Sequence, residues 1–434
     1  MTDRPPRTVA VLGSGIVGVC TALALADDGH AVMLIDPAEP GGRHAASYGN
    51  GAWLSPASVV PMSMPGLWRK VPGMVMDPLG PLTIRPGSLP RLLPWLARFL
   101  LAGSTVRRVE TTARALRPLL ETAPALHAAL ADAAGVPDLI RRDGLVYAYP
   151  DRATFAAEAL AWRLRRDNGV AWTELGAEQL RALVPDLSPR YQLGVHVGQG
   201  GHCRDPGRYL AALAAHAGRR GVRQVLARAV GFRIEAGRLE AVLTDTAPVP
   251  CDAAVICAGI HSRALARLAG DAPALESERG YHVVVQPAHL ASGIPVMPSD
   301  TKMAMTPTDA GLRGAGQVEL ASVGAAADWR RADVLLAQVR RAFPGLPEAN
   351  VSIDRWMGHR PSTPDGLPVI GPSSRTPDIV HAFGHGHVGL AAAPMTARLV
   401  AAHMRGEAVS LAPYSPQRFR GWPIVSKVPG RRAI

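Results

Sequence analysis

Three glycines near the amino terminus have the spacing of a site that binds a dinucleotide. Gly13, Gly15 and Gly18 interrupt an apolar run that resumes with helical spacing. The first two glycines let the backbone turn sharply, so that a pyrophosphate reaches main-chain N–H groups, and Gly18 lets a helix pack closely on a strand. The phosphates then lie at a helix N-terminus, where unpaired N–H donors favour negative charge. We therefore predict a strand, a tight turn and a helix over residues 9–26.

An acidic residue, Asp36, ends the next apolar run, residues 31–35. Folds of this kind use a carboxylate at that position to hydrogen-bond the adenosine ribose hydroxyls, which suits FAD or NAD and disfavours a 2′-phosphate. A glycine-relaxed turn in another α/β protein is the alternative, because the chain contains 44 glycines. The motif by itself does not separate FAD from NAD.

A second glycine turn lies more than 300 residues further along the chain. Residues 379–402 have the pattern of a strand, the turn Gly384-His385-Gly386-His387 and a helix. The N–H groups at the start of that helix are a second set of donors for a ligand. A flavin needs such donors at its pyrimidine end, because negative charge spreads towards N1 and C2=O when a hydride reaches N5.

The elements that position these turns are spread along the whole chain. Residues 252–259 form an apolar run ending in glycine, which is typical of a buried parallel strand whose carboxyl end approaches a ligand. We predict an α/β fold with a discontinuous Rossmann-like FAD-binding domain and an α+β substrate domain with a mixed or antiparallel sheet. The predicted FAD-binding domain comprises residues 1–62, 195–272 and 354–434. The predicted substrate domain comprises residues 63–194 and 273–353.

The composition limits which partners and metal sites the protein is expected to have. The chain has 434 residues and a formal net charge of +12, yet its basic residues are dispersed, which argues against nucleic acid as a partner. The four cysteines, Cys20, Cys203, Cys251 and Cys257, form no CxxC motif and no metal-ligand pattern. We expect buried, reduced thiols, no metal site and a cytoplasmic protein.

Contact with a membrane surface is an open alternative. No stretch reaches the roughly 18 uncharged residues that a transmembrane helix needs. Residues 89–102 come nearest, but Arg91, Pro94 and Arg98 interrupt them. Such a segment is more often a core-facing helix than an amphipathic helix that rests on the inner face of the cytoplasmic membrane. The basic tail past Pro413 is expected to be solvated or packed.

Several motifs together resemble one superfamily, that of D-amino-acid oxidase-like FAD-dependent oxidoreductases. In chain order they are VAVLGSGIVG, SYGNGAWLSP, VICAG, ERGYHVVV, GHRPSTPDGLPVIG and GHGHVGL. They resemble most closely the branch of bacterial D-amino-acid dehydrogenase (small subunit) and glycine oxidase, nearly from end to end. In this branch the reaction is oxidation of an amino acid, with oxygen or a membrane quinone as electron acceptor.

The resemblance implies a set of residues that hold FAD without a covalent bond. The chain has no cysteine near its carboxyl end and His44 is poorly placed, whereas covalent relatives use such residues. The implied cofactor residues are Gly13, Gly15, Ile16, Val17, Gly18, Asp36, Ser47, Asn50, Gly51, Ala52, Val230, Ala258, Gly259, Gly358, Gly384, His385, Gly386, His387, Val388 and Gly389.

The resemblance also implies a substrate site. Arg360 matches the arginine that clamps the substrate carboxylate, a role that suits the two-donor fork of a guanidinium. Tyr281, Tyr48 and His385 are candidates to contact the substrate or tune the flavin ring. A surface ion pair for Arg360 and a half-buried sheet position for Tyr281 are the purely structural alternatives.

The expected reaction is oxidative deamination of an amino acid, first of all a D-amino acid. The Cα–H would deliver a hydride to flavin N5, and water would hydrolyse the imino acid to a 2-oxo acid and ammonia. The alternative is a secondary-amine oxidase or dehydrogenase acting on sarcosine, proline or D-hydroxyproline. A third hypothesis is a non-catalytic nucleotide sensor, because a fold does not by itself determine a function.

Overall fold

The computed structural model describes residues 5–69, 79–80 and 82–420. The end of the basic tail, including Lys427, Arg431 and Arg432, lies outside the described residues.

The strands are named in chain order. They are β1 (Thr8–Leu12), β2 (Ala31–Asp36), β3 (Trp53–Leu54), β4 (Leu82–Ile84), β5 (Ile140–Arg141), β6 (Leu145–Tyr149), β7 (Thr173–Gly176), β8 (Leu193–Val197), β9 (Gly201–Cys203), β10 (Arg223–Leu226), β11 (Ala229–Glu235), β12 (Arg238–Thr244), β13 (Val249–Pro250), β14 (Ala253–Ile256), β15 (Glu276–Gln286), β16 (Val296–Pro298), β17 (Ala304–Thr308), β18 (Gly311–Leu320), β19 (Ser352–Ser362), β20 (Val369–Pro372) and β21 (Ile379–Phe383).

The α-helices are named in the same way. They are α1 (Ile16–Asp27), α2 (Leu89–Ala102), α3 (Val106–Leu120), α4 (Ala123–Ala134), α5 (Arg152–Ala156), α6 (Ala159–Asp167), α7 (Ala177–Leu183), α8 (Pro206–Arg219), α9 (Ser262–Leu268), α10 (Arg330–Ala342) and α11 (Gly389–Arg405).

A parallel sheet forms from segments far apart in the sequence. Its strand order is β10-β2-β1-β14-β21-β20, and its neighbours run parallel except for the β20–β21 pair. The central strands are apolar on both faces because both faces are covered. Helices α1, α8 and α11 cover one face, and the antiparallel meander β11–β13 with α9 covers the other. The prediction of a Rossmann-like fold is confirmed.

A larger mixed sheet lies beside the parallel sheet. Its order is β19-β15-β18-β17-β16-β6-β8-β7, with β4 paired to β18. Helices α7 and α10 pack on one face of this mixed sheet, and the other face forms a wall of the cavity described below. The predicted mixed sheet is therefore confirmed. The residue limits of the two domains stay a prediction, since the limits at 194/195 and 353/354 fall within β8 and β19.

The segment predicted as a core-facing helix is α2. Leu92 and Trp95 are buried, whereas Leu93 is 56% exposed and Leu89 and Leu101 are also exposed. None of the helices in the described part of the chain is both long and apolar enough to span a membrane. The four cysteines carry free, buried thiols, as predicted.

The β1–turn–α1 unit depends on the absence of a side chain at Gly18. A Cβ at this position would lie 1.8 Å from the carbonyl oxygen of Gly13. Gly13 has φ +110°, in the region that favours glycine, and its N–H donates to the carbonyl of Ile35 at 2.8 Å. The glycine spacing therefore fixes how closely α1 approaches β1.

Replacing Gly18 tests this close packing. We expect Gly18→Ala to lower the free energy of unfolding by about 1–3 kcal/mol, because the backbone must move to accept the Cβ, and to reduce the flavin content of the purified protein. Gly218→Ala is the matched control, since a Cβ at this exposed position of α8 meets nothing within 4 Å and improves helix propensity. Chemical denaturation of both variants measures the difference; equal stabilities would contradict the role given to Gly18.

Candidate active site

A cavity of about 1730 Å³ runs between the carboxyl edge of the parallel sheet and the mixed sheet. The turn after β1 and the end of β2 line one part of it, with Gly13, Gly15 and Asp36. The turn before α11 lines another part, from Gly384 to Gly389. The volume and the two separate glycine turns suit a large ligand with two polar ends.

The first end of the cavity is built around the N-terminus of α1. The first turn of this helix carries Ile16, Val17 and Gly18, so its N–H groups face the cavity without a competing acid. The Ile16 N–H donates to Ser47 Oγ at 3.0 Å. Asp36 accepts hydrogen bonds from the backbone N–H groups of Ser14, at 2.7 Å, and Ala38, at 3.0 Å, which hold its carboxylate at the end of β2.

The wall near this end is completed by residues from later segments. Val230 is 49% exposed and lies at the cavity lining, where Ala258 and Gly259 follow β14. Gly259 has φ +54°, which favours glycine, and this turn brings bare backbone to the cavity. The structure therefore brings these predicted residues together with Gly13, Gly15 and Asp36.

The second end is the turn that precedes α11. Gly384 and Gly386 have φ values of +85° and +54°, and the short 3-10 turn Gly386–Val388 leads directly into α11. His385 Nε2 lies 2.9 Å from Thr396 Oγ1, inside the protein. Burial lowers the pKa of His385 and of His387 to about 4, so both imidazoles are neutral near pH 7.

The loop 47–52 is fixed by a buried arginine that the sequence did not suggest. Arg313 Nη1 donates to the carbonyl oxygens of Tyr48, at 3.1 Å, and Asn50, at 2.9 Å. Asn50 Oδ1 accepts from the Ala52 N–H at 2.8 Å, and Ala52 has φ +64°. Ser47, Asn50 and Gly51 line the cavity, whereas Ala52 only shapes the loop.

Arg360 lies in the wall formed by the mixed sheet, next to Gly358, which also lines the cavity. Its guanidinium crosses Gly280, where a Cβ would be 2.3 Å from Cζ. Nη1 donates to the carbonyl of Gln317 at 2.9 Å and Nη2 to that of Gly316 at 3.3 Å. Within the described residues, no acidic oxygen forms an ion pair with this guanidinium inside 4 Å.

Glu278 is an acidic residue on the strand next to Arg360. It faces Arg360 in the register of β15 and β19, and it is buried at the cavity wall. Burial raises the pKa of Glu278, and burial lowers the pKa of Arg360 while the glutamate opposes that shift. Arginine keeps its charge at all ordinary pH values, so Arg360 is a cation with unused capacity to bind an anion.

The structure does not bring Tyr281 or Tyr48 to the cavity wall. Side chains alternate along β15, so Glu278 and Gly280 face the cavity and Tyr281 faces α10. The Tyr281 hydroxyl donates to Glu319 Oε2 at 2.6 Å, and burial raises its pKa to about 12. The Tyr48 hydroxyl accepts from Arg43 at 3.0 Å, outside the lining. Tyr281 is a fully buried residue of β15, more deeply buried than the half-buried sheet position considered as its alternative.

Comparison with known proteins agrees with the family that the motifs indicate. The model of the family described as "DAO: FAD dependent oxidoreductase" matches residues 8–403. The chain belongs to this family. It is 51% identical to a protein named D-amino-acid oxidase from Bradyrhizobium diazoefficiens, over 95% of this chain and 99% of that protein. It is 30% identical to D-amino acid dehydrogenase 2 of Ralstonia nicotianae, over 94% and 100% of the two chains.

A solved structure has the same fold. Glycine oxidase from Geobacillus kaustophilus superimposes with a TM-score of 0.72 and 19% identity, covering 96% of this chain and 100% of that one. As a member of the FAD-dependent oxidoreductase family, the protein uses FAD. The cavity fits this cofactor: a Cβ at Gly15 or Gly386 would touch only a serine hydroxyl, each at 3.4 Å, so bare backbone faces free space at both ends.

The buried histidine of the second turn predicts a pH dependence of stability. The pKa of His385 is about 4 in the folded protein and about 6.5 in an unfolded chain. The unfolded chain therefore takes up the proton first, and the stability that the neutral imidazole contributes above pH 6.5 is lost as the pH falls towards 4.

We expect His385→Gln to weaken this dependence. Between pH 7 and 5 the FAD-loaded wild type should lose about 2 kcal/mol more unfolding free energy than the variant. The exposed His289, replaced in the same way, serves as control. Urea denaturation at both pH values measures the difference, and identical losses in wild type and His385→Gln would show that His385 does not titrate as described.

Proposed function

We propose that the protein oxidises a D-amino acid to the 2-oxo acid and ammonia. The observation that carries the proposal is Arg360, a half-buried cation in the cavity wall that donates hydrogen bonds to carbonyl oxygens and has no acidic partner within 4 Å in the described residues. The relatives named D-amino-acid oxidase and D-amino acid dehydrogenase support the choice of substrate class.

FAD would lie along the cavity between the two helix N-termini. Gly13, Gly15 and Asp36 would hold its adenosine diphosphate half, since N–H donors favour the diphosphate and the carboxylate suits ribose hydroxyls. The loop 47–52 would lie beside the diphosphate and ring. The turn 384–389 would face the pyrimidine edge, where the dipole of α11 favours negative charge. When bound, FAD supplies the acceptor for the hydride of the substrate Cα–H.

The protein's own part in the reaction is to orient the substrate. Arg360 would bind the α-carboxylate through its two-donor fork, and the carbonyls of Gly316 and Gln317 hold that fork in place. Gly280 leaves room for the guanidinium to cross its strand. A fixed carboxylate and a fixed ring restrict the angle at which the Cα–H is presented.

The remaining chemistry needs little from the protein. An amine that binds in its neutral form has no proton to give up before oxidation, and water hydrolyses the released imino acid. Because His385 and His387 are neutral near pH 7, the second turn carries no side-chain cation that would compete with Arg360 for the carboxylate.

We also propose the limits of the two domains, the electron acceptor and a contact with the membrane. We propose that the parallel sheet and the mixed sheet mark the FAD-binding and substrate domains with the limits given above. Oxygen or a quinone would take the electrons. The exposed Leu89, Leu93 and Leu101 on α2 support a peripheral contact of this helix with the inner face of the cytoplasmic membrane.

An anaerobic substrate panel tests the function. D-amino acids should bleach the flavin faster than glycine, sarcosine, D-proline derivatives or L-amino acids do. Arg360→Ala should keep FAD but lose about 100-fold or more in kcat/KM, because charge-assisted hydrogen bonds to the carboxylate disappear.

The control for that variant is Arg355→Gln. Arg355 lies on the same strand and pairs with Asp333 at the surface, so its kinetics should match the wild type. Faster bleaching by sarcosine or D-proline would instead assign the protein to secondary amines. Unchanged kinetics of Arg360→Ala would remove Arg360 from the site.

A further inference from the structure

Another guanidinium lines the same cavity and is more deeply buried than Arg360, and the function proposed above gives it no role. Arg165 lies near the C-terminal end of α6 and is 9% exposed. Its Nε donates to the carbonyl of Ala57 at 3.1 Å. Its Nη1 is buried and has no hydrogen-bond partner within the described residues.

The surroundings of Arg165 stabilise a cation without neutralising it. Its Cζ lies 4.4 Å from the ring centre of Trp162 and 4.9 Å from that of Tyr147, so the guanidinium makes cation–π contacts with both rings. The end of α6 adds the negative end of a helix dipole. No ion pair with Asp or Glu is found for Arg165 in residues 5–69, 79–80 and 82–420.

The other arginines of the cavity lining, Arg360 apart, have an acidic partner or are exposed to solvent, as Arg228 and Arg267 are. Arg91 and Arg263 both pair with Glu276, each at 2.6 Å. Glu158 pairs with Lys302 and accepts a hydrogen bond from Tyr149. A buried charge is costly unless it is paired, so the unpaired Nη1 of Arg165 marks a place for an anion from outside the chain.

A continuous floor joins Arg165 to Arg360. Tyr147 pairs with Met297 across β6 and β16, and Ala304 pairs with Ala315 across β17 and β18. The pairing of β16 with β17 sets Met297 beside Ala304. All four of these side chains line the cavity.

The two guanidiniums lie at opposite ends of this floor. Arg165 stacks on Tyr147 at β6, and Arg360 is bonded to the carbonyls of Gly316 and Gln317 on β18, beside Ala315. Three strand spacings separate β18 from β6, about 14 Å. Because the carboxyl carbon of an ion pair of this kind lies roughly 4 Å from the guanidinium Cζ, the two carboxyl carbons of a bridging ligand would lie roughly 6 Å apart. The small side chains of Ala304 and Ala315 leave space between them.

We propose that Arg165 binds the side-chain carboxylate of the substrate, so that the preferred substrates are D-amino dicarboxylates of about five or six carbons. This inference rests on the proposed function, in which Arg360 binds the α-carboxylate. Glu158 does not oppose the second carboxylate strongly, because Lys302 neutralises it.

The kinetic test compares D-glutamate with D-glutamine, which has a side chain of equal size without a charge. We expect the wild type to prefer D-glutamate in kcat/KM by about tenfold or more, which is what one charged hydrogen bond supplies. Arg165→Met should remove that preference, and Arg165→Lys should restore part of it. Arg166→Gln is the matched control, since the neighbouring arginine is largely exposed, and it should keep the preference. Flavin content and circular dichroism check that each variant is folded.

A binding test needs no turnover. Glutarate, which carries two carboxylates, and butyrate, which carries one, are titrated against the FAD-loaded protein while the flavin spectrum and the melting temperature are followed. Glutarate should bind at least about tenfold more tightly than butyrate, and Arg165→Met should abolish the difference.

The outcomes separate the two proposals. Equal rates with D-glutamate and D-glutamine, with rapid oxidation of both, would overturn the role of Arg165 and leave the proposed function intact. Glutarate binding that depends on Arg165, with no oxidation of any D-amino acid, would support the anion site and overturn the proposed function. Glutarate binding no tighter than butyrate, or unchanged in Arg165→Met, would overturn the anion site.

Discussion

The packing of α1 against α11 is the constraint on which the rest of the structure depends. Both helices cover the same face of the parallel sheet and contact each other. Each follows a strand of that sheet, β1 or β21, so both begin at the carboxyl edge. Two helix N-termini, contributed by opposite ends of the chain, therefore open onto one cavity. That arrangement suits a ligand with a diphosphate at one end and a ring that gains negative charge at the other.

The opposite wall holds positive charges that are partly or fully shielded from water but are not neutralised by acidic groups. Arg360 is held by strand carbonyls and Arg165 by a carbonyl and two aromatic rings. Carbonyl oxygens and rings lower the cost of burial but leave donors free for a carboxylate. Gly280 is as necessary as the arginines, because a side chain there would occupy the space of the Arg360 guanidinium.

Local sequence rules predicted the parts of the site that local backbone geometry determines. The glycine spacing, Asp36 and the turn at 384–389 could be predicted because backbone conformation and helix starts leave marks over a few residues. Whether Tyr281 faces the cavity could not be predicted in this way. A shift of one residue in the phase of β15 moves every side chain to the other face, and the sequence around Tyr281 does not say which face meets the cavity. Arg313 and Arg165 could not be predicted because each donates to a carbonyl far away in the sequence, Asn50 for Arg313 and Ala57 for Arg165.

The most direct test of the account is a crystal structure of the protein purified with its cofactor and soaked with glutarate. The account predicts FAD along the cavity, with its diphosphate at the N-terminus of α1, its pyrimidine edge at the turn 384–389, and one glutarate carboxylate on Arg360. A cavity without FAD, a flavin ring at the α1 end, or a ligand that avoids Arg360 would contradict it.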